Sequence, residues 1–535
     1  VIIVLASFFP MYLNIVKGFT GCDKKLLEVG TMFGYSKRQK FFRIVLPYAM
    51  ADILVGMRIG LGYSWRAIIG EEFTKENIQK LTLAMCLKMK AEHKDTKSVV
   101  IGYDRRFLSK EAVIWACQIL GKEGIHVQFV NRSAPTPLLM FYVMKHELDY
   151  GMMVTASHNP AIYNGIKVFT YGGRDADEIQ TKDIEKWLLE AEKLYTPCHE
   201  EDGQMPPPSY TELVKQGIVE EINPMNEYLD NILSVINVDA IRKRDLRVAV
   251  DPMYGVSLTA LSTILAVARC TVETINAQHD TLFGGKMPAP AEDTLKNLQN
   301  YVLDRYCDIG IATDGDADRL GVIDDKGHYL HANQILVMLY YYLLKYKGWR
   351  GDAVRNLATT HMLDKVAESF GQKCYEVPVG FKYISAKMQE TDAIIGGESS
   401  GGLTVKGHIH GKDGIYAASL LVEMIAVTGK SLSEIVKDIE DQYGETHMEE
   451  RSYRFTAEEK ARIQKVLLEE QKLPELPFEV SRVSYQDGCK VYFKNGGWVS
   501  ARFSGTEPLL RIFCEMEKEE DAVRACVVFE RFLGL

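Results

Sequence analysis

The chain lacks the marks of several protein classes. Its ten cysteines form no CxxC pair and follow no framework spacing, so we interpret them as reduced thiols of a cytosolic protein. No basic n-region with a small-residue cleavage site indicates a cleaved signal peptide. An excess of positive charge is also absent, because the net charge is -9, which argues against a general nucleic-acid binder. These absences favour a cytoplasmic protein that does not bind nucleic acid.

Long hydrophobic runs are missing as well. The uncharged N-terminal stretch VIIVLASFFPMYLNIV has fewer residues than the ~20 of a membrane span. A second apolar run contains Asp52 and Arg58, which are costly at membrane depth. A pore needs several complete spans, so a working transporter is not predicted. Residues 1–66 nevertheless carry a net charge of +6, which leaves -15 for the remainder and predicts different surroundings for the two parts.

A basic amphipathic piece, KKLLEVGTMFGYSKRQKFFRIVLP, lies between these runs. From about Leu26 to Trp65 the chain resembles the cytoplasmic coupling loop of ABC-transporter permease subunits. We therefore expect residues 1–65 to form an apolar, helical, permease-like segment, and any membrane contact to be made through it. The alternative is a pair of amphipathic leader helices without activity.

Beyond Arg66 the chain shows the pattern of an α/β protein, and its 535 residues require several domains. The stretches SVVIGY, IHVQFV and GMMV indicate buried strands, and SKEAVIWACQILG indicates a helix. This alternation predicts a mostly parallel sheet, in which ligands bind beyond the carboxyl ends of the strands. Polar motifs that directly follow a strand are therefore the candidate site residues.

The first two such motifs carry a serine and a row of aspartates. Ser157 follows GMMV and precedes His158; no GxSxG elbow indicates a hydrolase triad, and a turn without chemistry is the alternative. In CDIGIATDGDADRLG a strand runs into a loop with three carboxylates, which repel one another unless a cation lies among them. Oxygen ligands suit Mg²⁺, whereas a solvated acidic turn is the alternative. The metal candidates are Asp314, Asp316 and Asp318, with Arg319 beside them.

Two further motifs combine glycine with polar side chains. The stretches VPVGFKYISAK and GESSGG let a backbone approach a ligand closely and offer a carboxylate and a hydroxyl, which suit sugar hydroxyls. The stretch WVSARFSGTEPLLR offers arginine, hydroxyls and backbone N–H groups, which together make an anion cradle. An ordinary polar turn and a surface hairpin are the alternatives. The candidate ligand-binding residues are Gly380, Lys382, Glu398, Ser400, Arg502, Ser504, Gly505, Thr506 and Arg511.

The motifs TASHNP, DGDADR, GESSGG and RFSGTEP, in this order, resemble those of the α-D-phosphohexomutase family (phosphoglucomutase and phosphomannomutase). The resemblance covers about residues 65–535, and SAPTPLL, NGIKVF, HDTLFGGKMPAP and KDGI support it. It implies an enzyme, a phosphoglucomutase-type isomerase that interconverts glucose 1-phosphate and glucose 6-phosphate. The implied partner is a small phosphosugar and the implied cofactor is Mg²⁺, with glucose 1,6-bisphosphate as intermediate and activator.

The resemblance also implies roles for single residues. Ser157 would be phosphorylated and would share Mg²⁺ with the three aspartates. Lys167 of NGIKVF would transfer a proton, and Arg66 and His158 would stand beside the serine. Glu398 and Ser400 would hold sugar hydroxyls near Arg319, Gly380 and Lys382. Arg502, Ser504, Gly505 and Thr506 would hold the non-reacting phosphate, and Arg511 follows them as a further substrate-binding candidate.

The implied fold is α/β: three α/β domains with mixed sheets and a C-terminal, mobile α+β domain around a central cleft. We predict a permease-like segment at 1–65 and a serine-loop domain at 66–205. A metal-loop domain is predicted at 206–325, a sugar-binding domain at 326–443 and a phosphate-binding domain at 444–535.

The junction GLGYSWRAIIGEEFTKEN reads as a seam between two proteins. In the mutase family a GTDGWR-like turn carries the arginine that Arg66 matches, but GLGYS precedes it here and permeases carry a similar SWRA stretch. We therefore expect the family's first strand and turn glycines to be missing or replaced. The alternatives are a phosphomannomutase, a dual-specificity mutase, or an inactive fusion. Thr155 argues against an amino-sugar mutase.

Overall fold

The computed structural model describes residues 28–29, 31–50, 73–195, 207–504 and 509–535. In the stretch 31–50 a short helix, α1 (Lys37–Lys40), begins at Ser36, whose hydroxyl accepts a hydrogen bond from the backbone N–H of Gln39. It continues as a π-helical turn over Phe41–Val45, and most large apolar side chains of this stretch are exposed. The predicted apolar N-terminal run and Arg66 lie outside the described residues.

The first sheet has six strands. They are β1 (Val99–Tyr103), β2 (Val127–Val130), β3 (Tyr150–Val154), β4 (Ile166–Thr170), β5 (Arg174–Asp175) and β6 (Val219–Ile222). Its helices are α2 (Lys75–Ala91), α3 (Ser109–Lys122), α4 (Thr136–Lys145), α5 (Glu178–Leu194) and α6 (Tyr210–Lys215). The strand order is β5-β4-β3-β1-β2-β6, with β4 and β5 antiparallel to their neighbours. Helix α2 is capped by Thr74 and buries Ile78, Met85 and Met89.

The second and third sheets follow in the chain. The second unit comprises α7 (Met225–Val235), α8 (Val238–Arg242), β7 (Arg247–Asp251), α9 (Leu258–Val267), β8 (Thr271–Thr274), a 3₁₀ turn (Phe283–Gly285), α10 (Lys296–Arg305), β9 (Ile309–Thr313), β10 (Leu320–Ile323) and β11 (Tyr329–Leu330). The third comprises α11 (Ala332–Lys345), β12 (Ala353–Asn356), α12 (Met362–Ser369), β13 (Cys374–Val377), α13 (Phe381–Thr391), β14 (Ile395–Gly397), β15 (Leu403–Val405), α14 (Gly414–Thr428) and α15 (Leu432–Tyr443). We call each sheet with its helices a unit.

The three units share one topology. Four strands of each lie in the orders β4-β3-β1-β2, β10-β9-β7-β8 and β15-β14-β12-β13, and the first strand named in each order is antiparallel to its neighbour. The turns after β3, β9 and β14 are therefore equivalent. These three turns carry the predicted serine, metal and sugar motifs.

A similar turn closes the central strand of each unit. Asp104 follows β1, and Asp251 and Asn356 end β7 and β12; each side chain accepts a hydrogen bond from the backbone N–H two residues on. All three residues are buried. Short polar side chains form such turns by replacing a backbone acceptor. Each of these residues has a partner on the neighbouring parallel strand when the register of the strands is continued past the strand end. The residue two positions after that partner is Ser157 for Asp104, Asp314 for Asp251 and Ser400 for Asn356.

The fourth unit is an antiparallel sheet covered by a helix. Its elements are β16 (His447–Arg454), α16 (Ala457–Ile463), a π-helical turn (Gln464–Glu469), β17 (Val480–Ser484), β18 (Cys489–Phe493), β19 (Trp498–Phe503), β20 (Leu509–Met516) and α17 (Glu519–Leu533). The order is β16-β20-β19-β18-β17. A hairpin at Asn495-Gly496 joins β18 to β19, with Gly496 at a φ of +88°.

The architecture is the predicted one, three α/β units with mixed sheets and a C-terminal α+β unit. Two short strands extend past the predicted boundaries, because β6 joins the first sheet beyond residue 205 and β11 joins the second beyond residue 325. Helices α11 and α14 lie between the second and third sheets and are buried along most of their length.

Two further structural findings concern the described part of the chain. Its eight cysteines are all free. None of its helices alone has the length and apolarity to cross a membrane, although α14 and α15, which meet at an angle of 80°, satisfy both criteria as a pair.

Candidate active site

The turns after β3 and β9 meet at Ser157. The Ser157 hydroxyl donates a hydrogen bond of 2.8 Å to Oδ2 of Asp314, and the serine is 8% exposed. Its φ of +52° lies in the left-handed region, which non-glycine residues rarely adopt. Gly315 permits this approach, because a Cβ there would lie 2.8 Å from the Ser157 carbonyl oxygen. The predicted serine and metal motifs are thus in direct contact.

The three predicted metal ligands are buried together. Asp314, Asp316 and Asp318 are each at most 2% exposed, and each offers an oxygen atom within 4.8 Å of the other two. Burial and the two neighbouring carboxylates raise the pKa of Asp314 well above its usual value. Like charges this close in a buried turn repel one another, so the turn requires positive charge nearby.

Lysines supply part of that charge. Nζ of Lys167, on β4, lies 2.8 Å from Oδ2 of both Asp316 and Asp318, and Nζ of Lys412 lies 3.2 Å from Asp318 Oδ2. Burial would raise the pKa of Asp318, but the Lys167 and Lys412 ammonium groups hold it well below its usual range. Burial would lower the pKa of Lys167, but Asp316 and Asp318 raise it well above its usual value. The cluster therefore keeps its charges by mutual compensation.

The donor set fits a hard divalent cation. Asp316 Oδ1 and Asp318 Oδ1 are buried and accept no hydrogen bond from any residue that the structure describes. Unpartnered buried carboxylate oxygens are costly, and a cation would compensate them. All ligand atoms are oxygens, which is the set that Mg²⁺ prefers. The residues that would hold Mg²⁺ are Ser157, Asp314, Asp316 and Asp318.

His158 stands beside the serine without a close hydrogen bond to it. Nδ1 of His158 lies 3.5 Å from Ser157 Oγ. Burial and the nearby Arg319 guanidinium lower the pKa of His158 to about 3, so its imidazole is neutral at pH 7. The geometry does not form the serine–histidine pair of a hydrolase, in agreement with the missing elbow motif.

The turn after β14 adjoins the metal turn. The Ser400 hydroxyl donates a hydrogen bond of 2.8 Å to Oε1 of Glu398, so the predicted carboxylate and hydroxyl act as one polar group. Arg319 forms an isolated antiparallel bridge with Gly402, which joins this turn to the one carrying the aspartates. A Cβ at Gly402 would lie 2.3 Å from Cδ of Lys412, the lysine that contacts Asp318. The serine, metal and sugar motifs thus form one contiguous site.

Gly380 and Lys382 lie at the start of α13, facing the first unit. Gly380 has a φ of +133°, a backbone conformation that favours glycine, and immediately precedes the helix. Lys382 lines a cavity of about 110 Å³ together with Arg174, Ser385 and His410. The cavity separates α13 from the end of β4, the strand that carries Lys167.

The predicted phosphate-binding residues lie on the fourth sheet. Arg502 and Arg511 are register partners on β19 and β20, and the backbone N–H of Ser504 donates to the Leu509 carbonyl. Nε of Arg502 lies 3.3 Å from Oδ2 of Asp487, which also accepts the backbone N–H of the residue before Gly380. The fourth unit therefore approaches the third beside the Lys382 turn. Gly505 and Thr506 lie outside the described residues.

Sequence reasoning missed a layer of residues behind the serine and the aspartates. Thr136 at the start of α4 donates a hydrogen bond of 2.6 Å to Asp316 Oδ2. Asp104 and Arg106 bond to the serine turn itself, Asp104 through Thr155 of the recognised TASHNP motif. The signal for two of them was present, because GYDRRF directly follows a strand, as the recognised motifs do.

Comparison with protein families agrees with this arrangement. Residues 61–194, 226–327, 331–443 and 450–531 match the models of phosphoglucomutase/phosphomannomutase domains I, II, III and IV, of which I to III are described as alpha/beta/alpha domains and IV as the C-terminal domain. Residues 1–83 match the binding-protein-dependent transport system inner membrane component, which confirms the permease resemblance. The two matches overlap at residues 61–83, the stretch that contains the predicted seam.

Curated relatives are similar over nearly their whole length. A phosphoglucomutase/phosphomannomutase of Thermococcus kodakarensis is 31% identical over 464 residues, which is 85% of this chain and 94% of the relative. A Methanopyrus kandleri protein named as a phosphoglucosamine mutase is 30% identical over 86% of this chain and 97% of its own length.

Solved structures share the fold. The structure of a Thermus thermophilus protein named as a phosphomannomutase has a TM-score of 0.73, with 27% identity over 87% of this chain and 96% of its own. The open form of parafusin, a phosphoglucomutase from Paramecium, has a TM-score of 0.69 with 21% identity over 87% of this chain and 92% of its own.

Proposed function

Because the chain belongs to the phosphoglucomutase/phosphomannomutase family and is thus a hexose-phosphate mutase, we propose that it interconverts glucose 1-phosphate and glucose 6-phosphate. The reaction would pass through a phosphoserine at Ser157 and a bound glucose 1,6-bisphosphate. The observation that supports this most directly is the 2.8 Å contact between Ser157 Oγ and Asp314 Oδ2, beside two more buried carboxylates.

The proposed transfer exchanges one P–O bond for another. The phosphoryl group leaves Ser157 Oγ as a sugar hydroxyl oxygen forms its new bond to phosphorus, and one proton moves from that hydroxyl to the serine oxygen. We assign the proton relay to Lys167, whose ammonium group lies 2.8 Å from Asp316 and Asp318 in the turn next to the serine; it would donate a proton to the serine oxygen and take one back from the sugar hydroxyl. Transfer of this kind depends on positioning and charge neutralisation, which a buried and charged turn provides.

Mg²⁺ bound by Ser157 and the three aspartates would neutralise phosphoryl charge. A phosphoserine brings about -1.5 to -2 charges at pH 7 into the cluster. The chain's own contribution is to hold the carboxylates in place: Lys167 bonds to both Asp316 and Asp318, and the Thr136 hydroxyl bonds to Asp316.

The remaining predicted residues would hold the substrate. Glu398 and Ser400 would bind sugar hydroxyls, which suits their pairing at the edge of the metal turn. A mutase must bind the sugar in two orientations, and a fixed clamp for the other phosphate meets that need. The clamp residues we propose are Arg502, Ser504, Gly505 and Thr506. Arg319, Gly380, Lys382 and Arg511 would also contact the substrate, and Arg66 and His158 would flank the serine.

The sugar that the chain acts on is the next part of the proposal. The relatives carry the names phosphoglucomutase/phosphomannomutase and phosphoglucosamine mutase. The GESSGGLTVKGHI stretch favours glucose and Thr155 argues against an amino sugar, with mannose phosphate as the alternative. We further propose a cytoplasmic location for the mutase part, with membrane contact only through residues 1–65.

The test is conversion of glucose 1-phosphate by the purified full chain, primed with a trace of glucose 1,6-bisphosphate. We expect activity with Mg²⁺ and none with a chelator, and a loss of about 10³-fold or more in Ser157→Ala, because the nucleophile is removed. Ser419→Ala is the matched control, since that buried serine only donates to the Ile415 carbonyl within α14. Mannose 1-phosphate and glucosamine 1-phosphate, assayed in parallel, rank the sugars by kcat/KM.

A second protein separates a wrong assignment from a damaged enzyme. In it, residues 1–64 are replaced by a family-like strand and a GTDG turn. Activity in this protein alone would mean that the fusion disables a mutase. Absence of any hexose-phosphate conversion in both proteins would contradict the assignment of Ser157 and the aspartates.

A further inference from the structure

The guanidinium of Arg106 is bonded almost entirely to the serine turn. It donates hydrogen bonds to four backbone carbonyls, those of Ser157 at 2.6 Å, Asn159 at 2.7 Å, Pro160 at 2.9 Å and Tyr163 at 3.0 Å. Arg106 is 4% exposed and stacks 4.9 Å above the ring of Phe283 from the second unit. A planar fork of donors on one turn restricts that turn more than a single bond could.

A second chain of bonds reaches the serine from the same origin. Asp104 lies 3.2 Å from Nε of Arg106 and accepts a hydrogen bond of 2.7 Å from the Thr155 hydroxyl. The Thr155 oxygen in turn accepts the backbone N–H of Ser157 at 2.8 Å. The serine is therefore held at its N–H by Thr155 and at its carbonyl by Arg106, and Asp104 links the two.

Within the described residues, the equivalent turns of the other units lack this side-chain connection. Asp251 accepts a side-chain hydrogen bond from Asn276, which follows β8, and Asn356 accepts one from Thr359, which follows β12. Among the described residues, the Asp251 carboxylate forms no hydrogen bond with the turn after β9, and the Asn356 amide forms none with the turn after β14. In the part of the chain that the structure describes, this side-chain connection from strand end to turn belongs to the unit that carries the serine; in the second unit a backbone N–H, that of Val256, donates to the Gly315 carbonyl at 3.2 Å instead.

We propose that Arg106, Asp104 and Thr155 form a positioning set that holds Ser157 in its left-handed backbone conformation with Oγ directed at Asp314. The inference rests on the proposed function, since it assigns Ser157 as the group that is phosphorylated. None of the three residues touches the reacting oxygen, so their effect on turnover is exerted through the geometry of the turn. A left-handed serine reverts to commoner backbone conformations when both anchors are lost.

The kinetic test compares Arg106→Met with Arg105→Met in the full chain. Arg105 is an adjacent arginine whose guanidinium donates to the carbonyls of Tyr254, Ala277 and Gln278 and not to the serine turn. We expect Arg106→Met to lower kcat about 100-fold with KM changed less than about threefold, because misplacement of a reacting group by about 1 Å costs that much. Arg105→Met is expected to change kcat by at most about threefold.

A conservative series tests the second anchor. Thr155→Val removes the hydroxyl but keeps the shape, and we expect a fall in kcat of about tenfold, equivalent to one lost hydrogen bond. Thr155→Ser restores the hydroxyl and should recover most of the loss. If Thr155 had a purely structural role, the kcat of both variants would instead fall in proportion to their loss of thermal stability.

Hydrogen exchange gives a readout that does not depend on turnover. We expect faster exchange at the backbone N–H groups of Ser157, Asn159 and Tyr163 in Arg106→Met, and unchanged exchange there in Arg105→Met. If the wild-type chain converts no hexose phosphate, the proposed function fails while this measurement still tests the positioning set. Equal losses of kcat in the two arginine variants, or unchanged protection of the turn in Arg106→Met, would overturn the inference.

Discussion

Burying three aspartates in one turn costs free energy unless a cation lies among them. Asp314, Asp316 and Asp318 lie in one turn, and two of their oxygens accept no hydrogen bond within the described residues. A bound cation between the like charges removes both their repulsion and the cost of those unpartnered atoms. Metal binding should therefore be visible as stability, independently of catalysis.

We expect Mg²⁺ to raise the thermal midpoint of the wild-type chain and a chelator to reverse the rise. At about 100 times the dissociation constant the added stability is ~2.7 kcal/mol, from mass action alone. In Asp316→Asn the rise should be smaller, because one charged ligand is lost. Differential scanning fluorimetry in a Mg²⁺ titration at constant ionic strength measures both.

Asp324→Asn is the matched control for this titration. Asp324 is as buried as the ligands, but it accepts the backbone N–H groups of Lys326 and His328 in a turn after β10. Its substitution should lower the midpoint and leave the response to Mg²⁺ intact. The same response in Asp316→Asn as in the wild-type chain would remove Asp316 from the metal site.

The sequence predicted these single residues to different extents. Ser157 and the aspartates were recognisable because each motif follows an apolar strand directly. Asp104 and Arg106 follow a strand as well, but the importance of Arg106 depends on four carbonyls more than fifty positions along the chain. Backbone acceptors are identical in every residue, so no side-chain pattern marks them.

Among the elements, helix α14 depends on one buried cap. Asp413 accepts the backbone N–H groups of Ile415 and Tyr416, and its other oxygen accepts the Tyr228 hydroxyl at 2.7 Å and lies 2.7 Å from Nε2 of His408. Asp413 is 2% exposed. The cap thus joins the helix to the second unit and adjoins Lys412, which contacts the aspartate turn.

We expect Asp413→Ala to lower the free energy of unfolding by about 3 kcal/mol or more. The loss combines a helix cap of about 1 kcal/mol with a buried tyrosine hydroxyl and a histidine that lose their partner. Asp177→Ala is the control, since Asp177 caps α5 in the same way but is exposed, and it should cost only about 1 kcal/mol. Urea midpoints measure both, and equal losses would show that burial of the cap contributes nothing.

Strand prediction failed where a strand is polar and lies at a sheet edge. The stretch VEEI of β6 has exposed glutamates in its centre and no apolar alternation, yet it pairs with β2 in parallel register. An edge strand is recruited by the hydrogen-bonding groups of its neighbour, so its own side chains need not be apolar. Apolar strands such as β3 and β9, which lie inside their sheets, were predictable for the opposite reason.

The whole molecule repeats one topology three times, and this explains why distant motifs meet. Turns at the same place in three units converge when the units pack with these edges together, so Ser157, Asp314 and Glu398 form one site. The sequence predicted three α/β units and a fourth of another class. It did not predict the repeated turns at Asp104, Asp251 and Asn356, because aspartate and asparagine are common in any loop.

The contact between the third and fourth units contains a buried lysine. Nζ of Lys490, on β18, lies 2.5 Å from the Leu357 carbonyl oxygen, 2.7 Å from Oε2 of Glu376 and 3.1 Å from Nε2 of His361. Lys490 is 2% exposed and packs 4.0 Å from the ring of Trp498. The other charged groups that face it are Arg355 and Glu515.

Burial and the Arg355 guanidinium lower the pKa of Lys490 to about 7, against the opposing effect of Glu376. In the unfolded chain the lysine titrates near its ordinary value of 10.5. Between these two values the unfolded chain binds a proton that the folded chain does not. The free energy of unfolding therefore rises with pH across this window, by up to ~1.4 kcal/mol per pH unit, and below pH 7 the full cost of charging the buried lysine is present.

We expect Lys490→Met to remove this part of the pH dependence. The wild-type chain should gain stability from pH 7 to pH 9 relative to the variant, because methionine fills a similar volume without a proton to bind. Lys494→Met is the matched control, since Lys494 is exposed and pairs only with Glu479 in the described contacts. Thermal midpoints of the three proteins, measured from pH 7 to pH 9, show whether Lys490 causes this part of the pH dependence. Parallel pH profiles for the wild-type chain and Lys490→Met would mean that the lysine stays charged in the interface, with Glu376 as its permanent counter-ion, and that the two units are joined by an ion pair at every pH tested.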